Sequence, residues 1–161
     1  TVLDDTTITA TTPAGMAGAR IVVVTTPGGT STDAVLFTYI PNVILDADGN
    51  GTCDALTDGL LVIRYLFGLS GAPLINGAVG SGASRTTSAQ IGGYLSGLGL
   101  ALDIDGNSQV DALTDGLLVI RYLFGLRGDP LIAGVVDPLG TRTTAPAIET
   151  YIDSLIQPLL P

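Results

Sequence analysis

The sequence predicts an α+β chain, in which a short antiparallel β segment is followed by an all-α tandem repeat. Three observations lead there. The first 41 residues are dominated by Thr, Val and Gly/Pro turns, whereas the stretch DALTDGLLVIRYLFGL occurs at Asp54–Leu69 and returns unaltered at Asp111–Leu126. Each copy follows an Asp-rich loop, LDADGNGTC at 45–53 and LDIDGNSQV at 102–110. With 161 residues and 46% apolar content, the chain can hold one ordinary domain or two small ones around a core.

Residues 1–41 carry TTITATTPAG, GARIVVVTTPGG and TSTDAVLFTYIP. β-branched runs separated by PAG and PGG turns read as antiparallel strands near 7–12, 19–26 and 32–40. A sheet this thin needs its apolar face covered by something else.

From Leu45 onward an offset of 57 residues aligns far more than the shared helix. Asp46, Asp48, Gly49 and Asn50 match Asp103, Asp105, Gly106 and Asn107; Pro73-Leu74-Ile75 matches Pro130-Leu131-Ile132. Arg85-Thr86-Thr87 matches Arg142-Thr143-Thr144, and Ile91 and Tyr94 match Ile148 and Tyr151. The repeating part, 42–156, therefore holds two units, 46–98 and 103–155. Each reads as an Asp-rich loop, an apolar helix (55–67 and 112–124), a turn with Gly, Pro and Leu-Ile, and a second helix (88–98 and 145–156) opened by Thr. Two copies imply a pseudo-twofold pair. Residues 157–161 form an apolar tail that cannot continue a helix past Pro158 and is a candidate for docking elsewhere.

The loops carry the chemistry. Asp46, Asp48 and Asn50, and again Asp103, Asp105 and Asn107, alternate hard oxygen ligands as a tight loop must when it wraps one cation with every other side chain. This is the D-x-D-x-N opening of an EF-hand-type calcium loop. Gly51 suits the sharp turn at the sixth position; Ser108 stands there in the second copy and is expected to strain that loop. Thr52 and Gln109 would offer backbone carbonyls, while Asp54 and Asp111 would ligate directly or through water and also cap the helix that follows. The closing carboxylates, Asp58 and Asp115, come one residue late, because Thr57 and Thr114 hold the twelfth position. One residue on a helix is about 100° of rotation, so these carboxylates close the sites only if each loop bulges by one residue. The cofactor so implied is two calcium ions. Cys53 matches Val110 at the eighth loop position and is expected to be a small core residue pointing inward to pair with its counterpart.

In LLVIRYLFGL only the Arg is charged, so Leu56, Leu60, Ile63 and Phe67 are expected on one stripe and Leu61, Tyr65 and Gly68 on another side. Such a helix must be covered on more than one face. The two copies are expected to pack on each other and on the second helices, with part of the remaining surface, edged by Arg64 and Arg121, meeting a partner.

Composition excludes several classes. There is no Lys and no His, with six Arg against fifteen acidic residues, for a net charge of −9. Such a chain repels phosphate backbones and anionic head groups, so neither nucleic-acid nor membrane-surface binding is expected. One Cys and no His leave no zinc-type ligand set. The apolar runs fall short of the about 20 residues a membrane span requires. Acid–base catalysis would fall to Asp pairs that the loops already claim, so no enzyme is expected. Thr at position 1 and the lack of a basic-then-apolar leader suggest a processed product or fragment. The tripeptide Arg127-Gly128-Asp129 and the sequon Asn50-Gly51-Thr52 carry little weight, since the first copy reads Ser70-Gly71-Ala72 and Asn50 is already a candidate ligand.

TTITATTPAG, GARIVVVTTPGGTST and the closing FTYIP resemble the C-terminal half of an IPT/TIG domain, over about a quarter of the chain. That resemblance implies an incomplete immunoglobulin-like sandwich of the kind found in bacterial surface proteins, closed by strands from elsewhere in a longer chain or from a neighbour. The paired loops, each feeding a helix, resemble a dockerin type I module, although the period is longer, a second helix follows each loop–helix and the last Asp is late. This implies contacts near the loop ends, at Ala55, Leu56, Ala112, Leu113, Arg64 and Arg121.

Together these features lead us to expect a non-enzymatic, calcium-stabilised structural module, extracellular or at a cell surface, that self-associates into a homo-oligomer or polymer, in one version a fibre with strand donation. The alternative is a dockerin that binds a cohesin-like partner.

Overall fold

The structure, a computed structural model, describes residues 2–4, 7–8, 18–31, 35–39 and 43–156. It divides into two compact units, one built on Thr1–Pro41 and one on Asn42–Pro158. The chain is α+β.

Among the described residues the first unit holds six short strands: β1 (Val2–Asp4), β2 (Thr7–Ile8), β3 (Gly18–Val22), β4 (Thr25–Thr26), β5 (Gly29–Thr30) and β6 (Val35–Tyr39). They pair antiparallel as β1–β2, β3–β6 and β4–β5. The single strand anticipated over 19–26 is thus split; of the run 32–40, residues 35–39 form β6 and the others lie outside the described residues. The cause is a register shift. Val22 pairs with Val35, so an unbroken ladder would pair Thr25 with Thr32; instead Thr25 pairs with Thr30, two residues earlier. The Pro27-Gly28 turn fixes the tip, where Thr25 Oγ1 and Thr30 Oγ1 lie 3.3 Å apart. Of the strand foreseen at 7–12, residues 9–12 lie outside the described set, as does the tail 157–161.

The second unit is built twice. After the first Asp-rich loop a π-helical turn, Ala55–Gly59, runs into α1 (Leu60–Leu66); then come α2 (Ala72–Ile75) and α3 (Ser88–Leu98). A 3₁₀ turn, Gly99–Leu102, leads to the second loop, a second π turn (Ala112–Gly116), α4 (Leu117–Leu123), α5 (Asp129–Ile132) and α6 (Ala145–Ile156). α1 and α4 stop in the same way. Gly68 takes φ 77°, donating to the Tyr65 carbonyl at 2.8 Å while Leu69 donates to Arg64 at 3.0 Å, a Schellman ending that only a residue tolerant of positive φ closes cheaply. Thr87 opens α3 through a capping box with Gln90.

One apolar cluster joins both repeats, with Leu61, Val62, Leu74, Ile91 and Leu95 from the first and Leu118, Val119, Leu131, Ile148 and Ile152 from the second. The chain closes on itself where Leu45 donates to the Leu155 carbonyl at 3.2 Å. Neither of the two sides read from the sequence is buried as a whole. Leu56 and Phe67 are 61% and 56% exposed, whereas Ala55, Asp58, Gly59, Leu61 and Val62 are buried. The π turn causes this by rotating the start of the helix relative to an ideal α-helical wheel.

The duplicated helices do meet each other. A Cβ on Gly59 would stand 3.2 Å from Ile120 Cγ1, and one on Gly116 would stand 3.0 Å from Ile63 Cγ1. Each helix seats its isoleucine on the other's glycine. Gly116→Val, which overfills this crossing, is expected to cost about 1–3 kcal/mol, whereas Gly93→Ala, in α3 with open space around it, should gain about 1 kcal/mol from helix propensity. Thermal unfolding followed by circular dichroism checks both; equal effects would mean the helices do not cross there.

Candidate metal centres

Each Asp-rich loop folds around its own carboxylates. Asp46 accepts from the backbone N–H of Gly49 (2.7 Å), Asn50 (3.1 Å) and Gly51 (2.9 Å), so its side chain pulls the loop into a tight coil. Asp103 does the same with Gly106, Asn107 and Ser108. Asp48 and Asp105 accept from Asn50 and Asn107, and Asn50 and Asn107 in turn accept from the N–H groups of Thr52 and Gln109.

The late aspartates reach the loops. In each π turn the backbone bond runs over five residues, from Gly59 N–H to the Asp54 carbonyl (3.0 Å) and from Gly116 to Asp111 (3.1 Å). The wider turn absorbs the extra residue. Asp58 then accepts from Ala47 at 2.7 Å and from Asp54 at 3.0 Å, and Asp115 accepts from Ile104 at 2.6 Å and from Asp111 at 2.9 Å. The result is two buried triads, Asp46/Asp48/Asp58 and Asp103/Asp105/Asp115, each offering oxygens within 4.8 Å of one another. Each triad could hold a metal ion.

Of the other residues singled out by sequence, Asp54 and Asp111 stay outside the triads. They cap the π turns, accepting from Leu56 and Thr57 and from Leu113 and Thr114. Asn50 and Asn107 lie in the loops beside the triads. Thr52 is exposed, and its hydroxyl donates to Asn50 Oδ1 at 2.7 Å; Gln109 is likewise exposed. Ser108 takes φ 69°, the only positive φ outside glycine among the described residues, and still donates to Asp103 at 2.9 Å. Cys53 and Val110 are partly buried against the core. Burial, and then the charge of Asp58, push the Cys53 thiol well above its ordinary range.

Packing three carboxylates this closely is electrostatically costly. Two unit charges about 4.8 Å apart at an effective dielectric constant near 20 repel by about 3–4 kcal/mol, so three pairs approach the whole stability of a small domain. The carboxyls respond accordingly. Burial above all raises Asp115 to about 6, with N–H donors from Asp111, Ile104 and Asp105 pulling the other way. Burial also raises Asp58 and Asp48. Asp111 differs: burial raises it, but bonds from the Thr114 hydroxyl and from the Thr114 and Leu113 N–H groups outweigh that and hold it low.

Three features of the sites were not assigned from sequence. The first is a clamp. Arg85 donates from Nε to the Ala47 carbonyl (2.8 Å) and from Nη2 to that of Asp46, and its guanidinium lies 3.9 Å over the Tyr94 ring. Arg142 repeats this on Ile104, Asp103 and Tyr151. Their recurrence at the 57-residue offset was the available signal. The second is close passage of the chain behind each loop, where a side chain on Gly49 would collide with Ser84 and one on Gly106 with Thr141. The third is Asp137, which accepts from Asn107 Nδ2 at 3.2 Å and donates its N–H to Asp105 at 2.9 Å. Gly80 holds the matching place beside the first loop, donating to Asp48 at 2.6 Å. No family model, curated protein or solved structure matches the chain.

Because the folded-state value of Asp115, about 6, lies above its ordinary 3.8, its contribution to stability is full at low pH and is lost as pH rises through about 6. In chelator, the unfolding midpoint should therefore rise when pH falls from 7 to 5; a midpoint that falls instead would mean the triads are not packed as described. Ser108→Gly should add about 0.5–1 kcal/mol, the relief of the left-handed conformation outweighing the freer unfolded chain, as read by denaturant unfolding.

Proposed function

We propose that the chain is a non-enzymatic, calcium-stabilised structural module that works by assembly outside the cell, as part of a bacterial surface protein. The observation that carries this reading is the pair of buried aspartate triads, each closed by a π turn that brings a late carboxylate into an EF-hand-like loop. Asp46, Asp48, Asn50 and Asp58 would hold one ion, and Asp103, Asp105, Asn107 and Asp115 the other. Calcium fits better than magnesium, because a loop of carboxylates and an amide suits a cation that takes six to eight oxygens in flexible geometry. Ion binding would offset the repulsion among the carboxylates and so be coupled to folding. The resemblance to half of an IPT/TIG domain, whose open sheet would be closed by a neighbour's strand, supports self-association into an oligomer or fibre.

A second reading, a dockerin that docks on a cohesin-like partner, is favoured by one observation. Leu56 and Leu113, at the loop ends where that resemblance places contacts, are 61% and 63% exposed. Two large apolar side chains held out at equivalent places suit a protein surface better than water.

Titration calorimetry of the chelated chain should show two calcium ions bound per chain, and Asp58→Asn with Asp115→Asn should weaken binding at least about tenfold, the loss of one closing charge per site. Binding unchanged in the double variant would refute the calcium reading. Light scattering on the calcium-loaded chain then separates the two modes: growth with concentration supports self-association, while a monomer that forms a chelator-sensitive one-to-one complex with a cohesin-like domain supports the second.

A further inference from the structure

The two halves of the helical unit share α1 and α4 letter for letter, but not what covers their tyrosines. In the second half the guanidinium carbon of Arg127 lies 3.4 Å from the centroid of the Tyr122 ring. Its Nη1 donates to the carbonyls of Tyr122 and Leu126, each at 2.8 Å, and the Tyr122 hydroxyl donates to Asp153. Tyr122 is buried beneath this plug. The arginine of the Arg-Gly-Asp tripeptide is therefore engaged inside its own chain.

At the 57-residue offset the first half has Tyr65, with Ser70 where the plug has Arg127 and Ser96 where it has Asp153. A serine is too short to cover the ring. Tyr65 is accordingly only partly buried and forms one wall of a cleft of about 530 Å³, shared with Leu66, Leu95, Ser96, Leu100 and Val110. The backbone that carries the plug is the same in both halves. Leu69 donates to Arg64 and Leu126 to Arg121, each at 3.0 Å, and Gly71 and Gly128 take φ 61° and 62°. The cleft thus opens beside Tyr65, whose counterpart Tyr122 is covered by Arg127 in the second half.

We propose that the cleft over Tyr65 is a docking site for an arginine side chain of a partner protein, which takes the place that Arg127 takes over Tyr122. A planar guanidinium stacks on an aromatic face and is held there by the ring quadrupole. The Tyr65 carbonyl stands where the Tyr122 carbonyl receives Arg127, and the leucines beside it suit an arginine's methylene stem. A net charge of −9 draws a cationic guest in. No arginine of this unit supplies the guest, because all five are already engaged. Arg64 donates to the carbonyls of Leu74 and Asn76, Arg121 to those of Leu131 and Ala133, and Arg85 and Arg142 clamp the loops. Leu100, 65% exposed at the rim, offers a contact to residues flanking the guest.

The test is NMR on the full chain in calcium-containing buffer, with a capped Gly-Arg-Gly peptide as probe and its citrulline and leucine analogues as controls. The arginine peptide is expected to shift the Tyr65 ring and Leu95 methyl signals saturably, leaving Tyr122 unmoved, while citrulline and leucine peptides shift neither. Ser70→Arg combined with Ser96→Asp installs the second half's plug and should abolish the response while the amide spectrum stays folded. Tyr65→Leu keeps the cleft apolar, removes the ring and should also lose the response at Leu95, so a misfolded plug variant does not shield the idea. Equal shifts from the citrulline or leucine peptide, or an unchanged response in either variant, would overturn it. So would Tyr65 shifts that grow with protein concentration alone, which would make a second copy the occupant.

Discussion

Three carboxylates packed within 4.8 Å and removed from water are the constraint on which each repeat depends. An ordinary α-helical turn after the loop would carry Asp58 or Asp115 about 100° away from the other two, by the 3.6-residue period. A π turn is a costly local geometry and seldom appears without a task. Here its task is visible in the bonds it makes: Asp58 and Asp115 each tie the second loop residue to the start of the helix, through Ala47 and Asp54 or through Ile104 and Asp111. The loop and its exit helix are therefore one object, and the helix cannot leave its place without opening the triad.

The length of the repeat follows from the same demand. A loop that turns its carboxylates inward leaves carbonyls of its backbone facing out. Arg85 and Arg142 collect those carbonyls, and Arg85 N–H and Arg142 N–H bond those of Asp48 and Asp105 at 2.8 Å. Bonds from a charged donor are worth about 1.5–3 kcal/mol each, so the clamp is comparable to one of the repulsive pairs inside the loop. It also sets a positive charge behind each cluster of negative ones. Tyr94 and Tyr151, on the second helices, carry the guanidinium groups on their rings and reach past them to the carbonyls of Ile44 and Ala101. The second helix is the support for this clamp, which is why the unit is 57 residues long rather than a loop and a single helix.

Much of this was legible because it repeats. The alternation of Asp and Asn pointed to a cation, and the one-residue delay of Asp58 and Asp115 pointed to a bulge at the place where the π turn stands. What the letters could not show was which residues act at long range. Arg85 lies 38 and 39 residues from the carbonyls it clamps, and no local pattern encodes such a pairing; recurrence flagged the residue but not its role. The buried face of the duplicated helix was not legible for a related reason. A helical wheel assumes 100° per residue, and the π turn breaks that at its first step, turning Leu56 outward. In the β unit the Thr and Val runs gave strands, but the shift between Val22↔Val35 and Thr25↔Thr30 depends on pairing across the hairpin and has no mark in either run.

Why sixteen residues are identical in the two copies is answered in part by the fold. Where α1 and α4 cross, the contact is isologous: Ile63 seats on Gly116 and Ile120 on Gly59, so any change on one helix must fit the same surface of the other. That accounts for the glycines and isoleucines. Positions free of the crossing have diverged, as Ser70 and Arg127, Gly80 and Asp137, and Ser96 and Asp153 show. Leu56 and Phe67 break this rule. They and their counterparts, Leu113 and Phe124, are identical and each more than half exposed, so internal packing does not demand them. Their identity is therefore not set by the crossing, and what they share is exposure of a large apolar side chain at equivalent places on a strongly acidic chain. The duplicated helix thus faces its twin along one side and, by the same sequence, exposes the same large apolar side chains on another.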